Sequence, residues 1–322
     1  MREFAFELTL CAHVEAGFEG IVGRQLGAGV RGSRIVDVAC IEPGPAFDAR
    51  RALTPATIPD RAIESRVGAG TARYWKDAFD CSPERARAVT ERALEVGFFE
   101  RERRGGREYV RQTARYPGEW FGPITGIENK PDLGRPGELE TQLRTDASLG
   151  LFDRVVLATT SHVTGAHLNR IPEAVGIWRF DPGSGERAVL REPTPLAPTE
   201  PGVELLDRAP GRTDVRVASA AEKARARRRL AERAYGKGWR TYDMPACAEA
   251  EAAEMDGARG LPCCRWKGRL VDAASECGPE CAGHDPAMAP GIDHDAERER
   301  RTPWRRAPEG RRRRQAGLEH FS

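Results

Sequence analysis

Lysine is scarce in this chain: of 51 basic residues only Lys76, Lys130, Lys223, Lys237 and Lys267 are lysine, and the rest are arginine. GC-rich coding explains such a bias. Each lysine that remains still marks a place where the arginine fork does not replace a compact ammonium of tunable pKa. Net charge is lacking too, since 51 basic and 49 acidic residues leave +2. That balance excludes a purely electrostatic nucleic-acid tail and an acidic solvating chain alike. The longest run without a formal charge, Val155 to Asn169, is polar and falls short of the ~20 apolar residues that cross a bilayer, so no membrane partner is expected. A signal peptide needs an unbroken apolar stretch, whereas Glu3, Glu7 and Glu15 interrupt the opening residues, so a cytoplasmic protein is expected. The glycines at 27, 29 and 32 lack the G-K-S/T ending of a phosphate loop. The eight cysteines include no C-x-x-C pair, and in a reducing compartment they point to thiols or metal ligands more than to disulfides.

What is present suffices for a core: 39% hydrophobic residues and 34 glycines are ordinary globular proportions. The length suggests two domains, or one core with appendages. Leu10, Val14, Phe18, Ile21, Val22 and Leu26 recur at threes and fours, which predicts a helix stopped by Gly27 and Gly29. Arg34 to Ile41 is a β-branched run with Asp37 in its middle, a carboxylate that costs several kcal/mol in a strand core unless a partner or a metal takes it. Residues 45–118 read as an insertion. In it a helix capped by Ser82 precedes a polar hairpin turning at Gly105-Gly106. Helix and basic hairpin resemble the end of a winged helix-turn-helix, and an ordinary helix and hairpin packed on a core fit the same pattern. Arg101, Arg103, Arg104, Arg107 and Arg111 around the tip suit phosphate contacts, although charged hairpin tips are usually only solvated. The strand Phe121 to Lys130, the helix Glu138 to Leu151 and the strand Asp153 to Thr159 form the crossover unit of an α/β sheet, and Val175 to Phe180 is a further strand. Residues 186–218, rich in proline, predict a linker. Residues 219–285 are a basic helix, with Ser219 and Glu222 in capping-box relation, followed by a cysteine-rich lobe. From 286 to 322, proline, arginine and glutamate without apolar period predict disorder for most of the tail.

Glu128 and Lys130, two apart on a strand, point to one face. A carboxylate and an ammonium side by side suit metal-assisted phosphodiester hydrolysis, the carboxylate holding Mg²⁺ and the lysine orienting water. A second carboxylate is required, and Asp37 is the strand acid available. A bare E-x-K is common in charged chains, where its default is a surface ion pair. The order of a helix with Glu19, Asp37 on a strand, Glu128-Asn-Lys130 on a strand, Gln142 on the next helix and then a strand resembles the PD-(D/E)xK nuclease superfamily, which includes restriction endonucleases and RecB-type nuclease domains. The run Ile127 to Gly134, then Leu139 to Arg144, then Leu151 to Ala158 is the most similar part. The resemblance implies a restriction-endonuclease-like mixed sheet with flanking helices, built from 1–44 and 119–185 and split by the 45–118 insertion. It implies Asp37 and Glu128 as ligands of Mg²⁺ or Mn²⁺, Lys130 serving the attacking water, Gln142 contacting DNA or steadying the site, and Glu19 as an accessory carboxylate. This sequence departs from the superfamily pattern in the long separation of Asp37 from Glu128. The whole chain also resembles a family of uncharacterised haloarchaeal proteins, which implies no activity. The expected function is a metal-dependent nuclease of DNA repair or processing. The alternative is a non-catalytic DNA-binding protein on a degenerate nuclease core.

Cys247, Cys264, Cys277 and either Cys281 or His284 would complete a tetrahedral zinc site, and a lobe so poor in apolar residues favours a structural metal. A [4Fe-4S] cluster, with Cys11 ahead of the core and three cysteines after it, resembles the layout of some RecB-type exonucleases and stays open beside unligated thiols. His162 and His167 read as loop histidines.

Overall fold

The structure is a computed structural model and describes residues 2–134, 137–209 and 211–308. In chain order the first elements are α1 (Glu3–Ala16), β1 (Ile21–Gly27), β2 (Ile35–Pro43), α2 (Phe47–Arg51), α3 (Asp60–Ile63), β3 (Arg73–Tyr74), α4 (Pro83–Glu95), β4 (Phe99–Arg104) and β5 (Arg107–Gln112). Then come β6 (Phe121–Asn129), α5 (Leu139–Leu149), β7 (Arg154–Thr159), α6 (Gly165–Leu168), β8 (Gly176–Asp181), β9 (Glu186–Arg191), β10 (Gly202–Ala209) and β11 (Arg212–Ala218). The last are α7 (Ala220–Lys237), β12 (Ala250–Met255), β13 (Ala258–Cys264), β14 (Arg269–Leu270), α8 (Ala273–Glu276) and α9 (His294–Arg301).

The chain folds as a mixed α/β protein of two units. One comprises Met1–Glu42, Pro123–Ala234 and Gly238–Pro303, and the other, among the described residues, Pro43–Gly122, Tyr235–Lys237 and 304–308. The first is built on a six-stranded mixed sheet in the order β1-β2-β6-β7-β8-β9. β1 and β2 are antiparallel, β6, β7 and β8 run parallel, and β9 returns antiparallel. The β6-α5-β7 crossover expected from the sequence is present. Gly126 in β6 lets the Phe152 ring approach, since a Cβ there would lie 3.0 Å from it. α1 covers one sheet face through Phe6, Leu10 and Cys11, packed with Val38, Ile127, Val156 and Phe180. Each such side chain, fully buried, contributes about 1.5–3 kcal/mol. The second unit has its own core of Phe79, Ala86, Ala93, Phe98, Phe99 and Val110, under a three-stranded sheet ordered β3-β5-β4. Its hairpin turns where expected, with Gly105 and Gly106 at φ 54° and 77°, left-handed values that glycine adopts at no steric cost.

Four sequence expectations change. The helix expected through Leu26 ends at Ala16, and Ile21–Gly27 is a strand laddered to β2 from Ile21↔Ile41 to Gly27↔Ile35. A ladder to a distant segment outweighs a local period. Residues 186–218 are not a linker: β9 completes the sheet, β10 and β11 pair as a hairpin, and Pro193, Pro195, Pro198 and Pro201 sit between β9 and β10, where no ladder donor is needed. The segment 219–285 is no separate lobe, because Trp239, Tyr242, Leu261 and Leu270 join the core beneath α1. The 286–322 segment contains α9, with Glu297 and Arg298 buried, and the buried Trp304. Residues 309–322, including Arg311 to Arg314, lie outside the described residues. Among the described residues no helix is long and apolar enough to cross a membrane.

β10 packs on α5 at Gly202, where an added Cβ would stand 2.0 Å from the Leu149 carbonyl oxygen. Gly202→Ala is therefore expected to cost about 1–3 kcal/mol through overpacking, read as a lower denaturant midpoint with unchanged slope.

Candidate active site

The site lies where α1, the β1-β2 hairpin, the end of β6 and the last turn of α5 converge. Four carboxylates of the first unit meet here. Glu7 on α1 accepts from Arg24 Nε, from Gln25 Nε2 at 2.8 Å and from Asn129 Nδ2 at 2.7 Å. Asp37 on β2 accepts from Gln25 Nε2 at 3.1 Å and from the Asn129 amide at 2.9 Å, a partner 92 positions away in sequence. Glu128 is 2% exposed and accepts from Arg34 Nη2. The same guanidinium donates to both oxygens of Asp146, at 3.0 and 2.6 Å.

Burial pushes the Glu128 carboxyl well above the ordinary carboxylate range; the charge of Asp37 pushes further and Arg34 pulls against it. Burial likewise raises Asp146 against the pull of Arg34, Asp37 against the Asn129 amide, and Glu7 against Arg24. The four acids together are short of positive charge even with two arginines among them. Asp146 adds a further reason: an acid in the last turn of a helix meets the negative dipole end.

The expected residues divide. Asp37 and Glu128 come together, while Lys130, two residues on from Glu128, pairs its ammonium with Glu3 on the first turn of α1, whose charge reaches Asp37. Gln142 lies half-buried on α5, one helical turn before Asp146. Glu19 is exposed in the turn after α1 and takes no part in the described bonds of the cluster, where Glu7 stands instead. The reason is the shortened helix, which presents Glu3 and Glu7 from its N-terminal half. Sequence reading missed Gln25, Arg34 and Asp146 as well. Gln25 has φ 51°, a left-handed conformation outside glycine that costs about 1–3 kcal/mol, and it bridges Glu7 and Asp37. Asp146 alone had a sequence signal, an acid four residues after Gln142 at an adverse helix end.

The cysteines gather at a second locus. The Cys277 thiol is pushed up first by burial, then pulled down by Lys267 and raised by Cys264, Cys281 and Cys247, so the other three sulfurs lie near enough to act on it. The Asp285 amide donates to Cys247 Sγ at 3.4 Å. His284 closes a turn, its amide donating to the Cys281 carbonyl at 2.9 Å. Among the described residues no group of three or more histidine, cysteine or acidic side chains is set to hold a metal ion. At the carboxylates the guanidiniums of Arg24 and Arg34 stand among the acids.

A family model, DUF5787, described as a family of unknown function, matches residues 21–286. The chain belongs to the DUF5787 family. The matched region takes in Gln25, Arg34, Asp37, Glu128, Lys130, Asp146 and the four gathered cysteines. No curated protein and no solved structure matches the chain.

The hairpin arginines are all exposed. Arg104 pairs with Glu102 at 2.6 Å, Arg111 with Glu100 and Arg101 with Glu108 at 3.4 Å. Arg107 lies 5.8 Å over Tyr74 and Arg104 lies 5.6 Å over Tyr109. In the basic helix α7 Arg227 is used structurally, donating to the Leu151 carbonyl and to Asp153.

The raised carboxyls carry a stability prediction. A Glu128 that holds its proton more tightly folded than unfolded costs no stability below the ordinary 4.5 and progressively more as pH rises through its folded value. Glu128→Gln keeps an acceptor for Arg34 and presents an amide toward Asp37. The variant is expected to melt higher than wild type at neutral pH, with the difference vanishing below pH 4.5. Thermal midpoints across pH decide it, and a lower midpoint at pH 7 would contradict it.

Proposed function

We propose that the chain is a metal-dependent nuclease that hydrolyses phosphodiester bonds in DNA, on a restriction-endonuclease-like core. The observation that carries this reading is the meeting of Asp37 and Glu128, with Lys130 two residues on from Glu128, although most of the second unit intervenes in sequence. The order α1, β2 with the aspartate, β6 with E-x-K, α5 and parallel β7 supports it, with Glu7 in the accessory role expected of Glu19. Excess negative charge and hard oxygen donors fit a divalent cation, so Asp37 and Glu128 would hold Mg²⁺ or Mn²⁺. Bound there, the ion would supply Lewis-acid polarisation of the phosphoryl oxygen and a more acidic water. Gln25 fixes Asp37 and Glu7 by donating to both. Lys130 orients the attacking water and meets the charge that develops on phosphate. Released from Glu128, Arg34 would offer a planar fork to a phosphate.

DNA would also be held by the second unit, whose β3-β5-β4 sheet and α4 support a winged-helix-like reading, with the hairpin arginines meeting phosphates. The experiment is Mg²⁺- or Mn²⁺-dependent cleavage of single- and double-stranded DNA by the purified chain, compared with Asp37→Ala and Lys130→Ala. Equal activity in all three sinks the nuclease reading. A second reading, a non-catalytic DNA-binding protein, is favoured by Arg34, which already pairs with Glu128 and Asp146. It expects binding without cleavage in wild type.

The cysteine locus fits structural zinc in its donor set, with Cys247, Cys264, Cys277 and Cys281 as ligands. Cys277→Ser is expected to lose stoichiometric zinc from the purified chain and to lower its melting point. A visible charge-transfer absorbance in anaerobic protein would assign an iron-sulfur cluster instead.

A further inference from the structure

The first unit has another cavity, of about 590 Å³ and mixed polar and apolar lining, within the range of ~300–1,000 Å³ usual for ligand sites. Its lining includes His13, Cys40, Arg154, Trp178, Arg187 and two acids, Glu192 and Asp256, and none of Glu7, Asp37, Glu128 or Lys130. Cys40 lies three residues after Asp37 in β2, Thr125 three residues before Glu128 in β6, and Arg154 at the start of β7, so the cavity is displaced along the strands from the carboxylate cluster. It needs no part of the nuclease reading.

Its cations are arranged unevenly. Arg154 is paired with Glu42 at 3.2 Å, and His13 Nδ1 lies 3.5 Å from Asp256. Arg187 on β9 has its guanidinium 4.5 Å over the half-buried Trp178 ring and pairs with no carboxylate among the described residues. Its charge reaches both His13 and Cys40. Stacking uses the guanidinium face and leaves the edge donors for a planar or tetrahedral anion. Val14, Phe18 and Pro193 give the same cavity an apolar wall. An unpaired, orientation-fixed guanidinium beside an apolar wall, in a space of this size, suits a ligand with a phosphate at one end and a flat ring at the other.

We propose that this cavity binds a nucleoside 5′-monophosphate, with its phosphate on Arg187 and its base against the wall formed by Val14, Phe18 and Pro193. The probe is deoxyadenosine 5′-monophosphate titrated calorimetrically into the full chain, with deoxyadenosine and inorganic phosphate as partial ligands. Wild type is expected to bind the nucleotide saturably and each partial ligand more weakly. Arg187→Ala, at an exposed position that leaves the fold intact, is expected to weaken binding about tenfold or more, the loss of a charge-assisted contact. Arg187→Lys is expected to recover only part of it, and Asp37→Ala to bind as wild type. Absence of saturable binding in wild type, or equal affinity in Arg187→Ala, overturns the proposal. Loss of binding in Asp37→Ala alone also overturns it, because the ligand would then sit at the carboxylate cluster. Equal affinity for inorganic phosphate would leave no role for a base and overturns the nucleotide assignment.

Discussion

Glu15→Ala is expected to destabilise the protein by about 3–5 kcal/mol, the cost of stripping the partner from a buried charge. Glu15 and Arg240 have side chains only 1% and 3% exposed and pair at 2.5 Å. The same carboxylate accepts from Trp239 Nε1, from the second Arg240 nitrogen and from Arg301 Nε, each at 2.8 Å. Alanine would leave the Arg240 guanidinium, stacked 4.3 Å over Trp239, buried with its main acceptor gone. The pH dependence has a definite sign. Burial alone would raise the Glu15 carboxyl, but the hydrogen bonds and charge of Arg240, with Trp239 and Arg301, outweigh it and hold the carboxyl below its ordinary 4.5. A depressed carboxyl contributes its stability above the unfolded value and loses it as pH falls through the folded one. The gap between wild type and Glu15→Ala should therefore be full at pH 7 and narrow in acid below pH 4.5. Denaturant titrations at both pH values measure it. A loss under about 1 kcal/mol at pH 7 would show the network behaving as a surface salt bridge.

The second large effect is on chemistry. Lys130→Ala is expected to lower Mg²⁺-dependent DNA cleavage by about 10²–10⁴-fold, the usual worth of a positioned proton-transfer group. Stability should barely move. The ammonium is partly exposed and its partner Glu3 is 61% exposed, so removing the pair costs at most about 1 kcal/mol. That split separates a chemical role from a structural one, because a lysine needed only for packing would lower the melting point along with activity. Lys130→Arg should not restore cleavage, since a guanidinium stays protonated and spreads its charge over a fork. Cleavage by Lys130→Arg at wild-type rate would reduce the lysine to a generic cation.

Local signals made much of the candidate site legible. Glu128 and Lys130 on one strand, the helix carrying Gln142, the strand after it and the Gly105-Gly106 hairpin all follow from period and turn chemistry within a few residues of each site. Glu7 and Gln25 were hidden because a threefold and fourfold apolar recurrence continued from α1 through the turn into β1, where the helix and strand patterns coincide. Arg34 and Asp146 were hidden for another reason. Their pairing joins positions 112 apart, and nothing in either neighbourhood announces the other.

The sequence by itself therefore determined the α/β class, the inserted second unit, the E-x-K strand with its crossover helix, and the crowding of cysteines late in the chain, since each depends on residues near one another. The tertiary structure alone decided which acid of α1 reaches Asp37, that arginines stand between the carboxylates, and that 186–218 completes sheet and hairpin. Those outcomes rest on long-range ladders and on the cost of burying charge, and a buried carboxylate takes whichever donor the fold brings within hydrogen-bond reach. Lysine scarcity singled out Lys130 from the sequence, and the fold paired that lysine with Glu3 of α1.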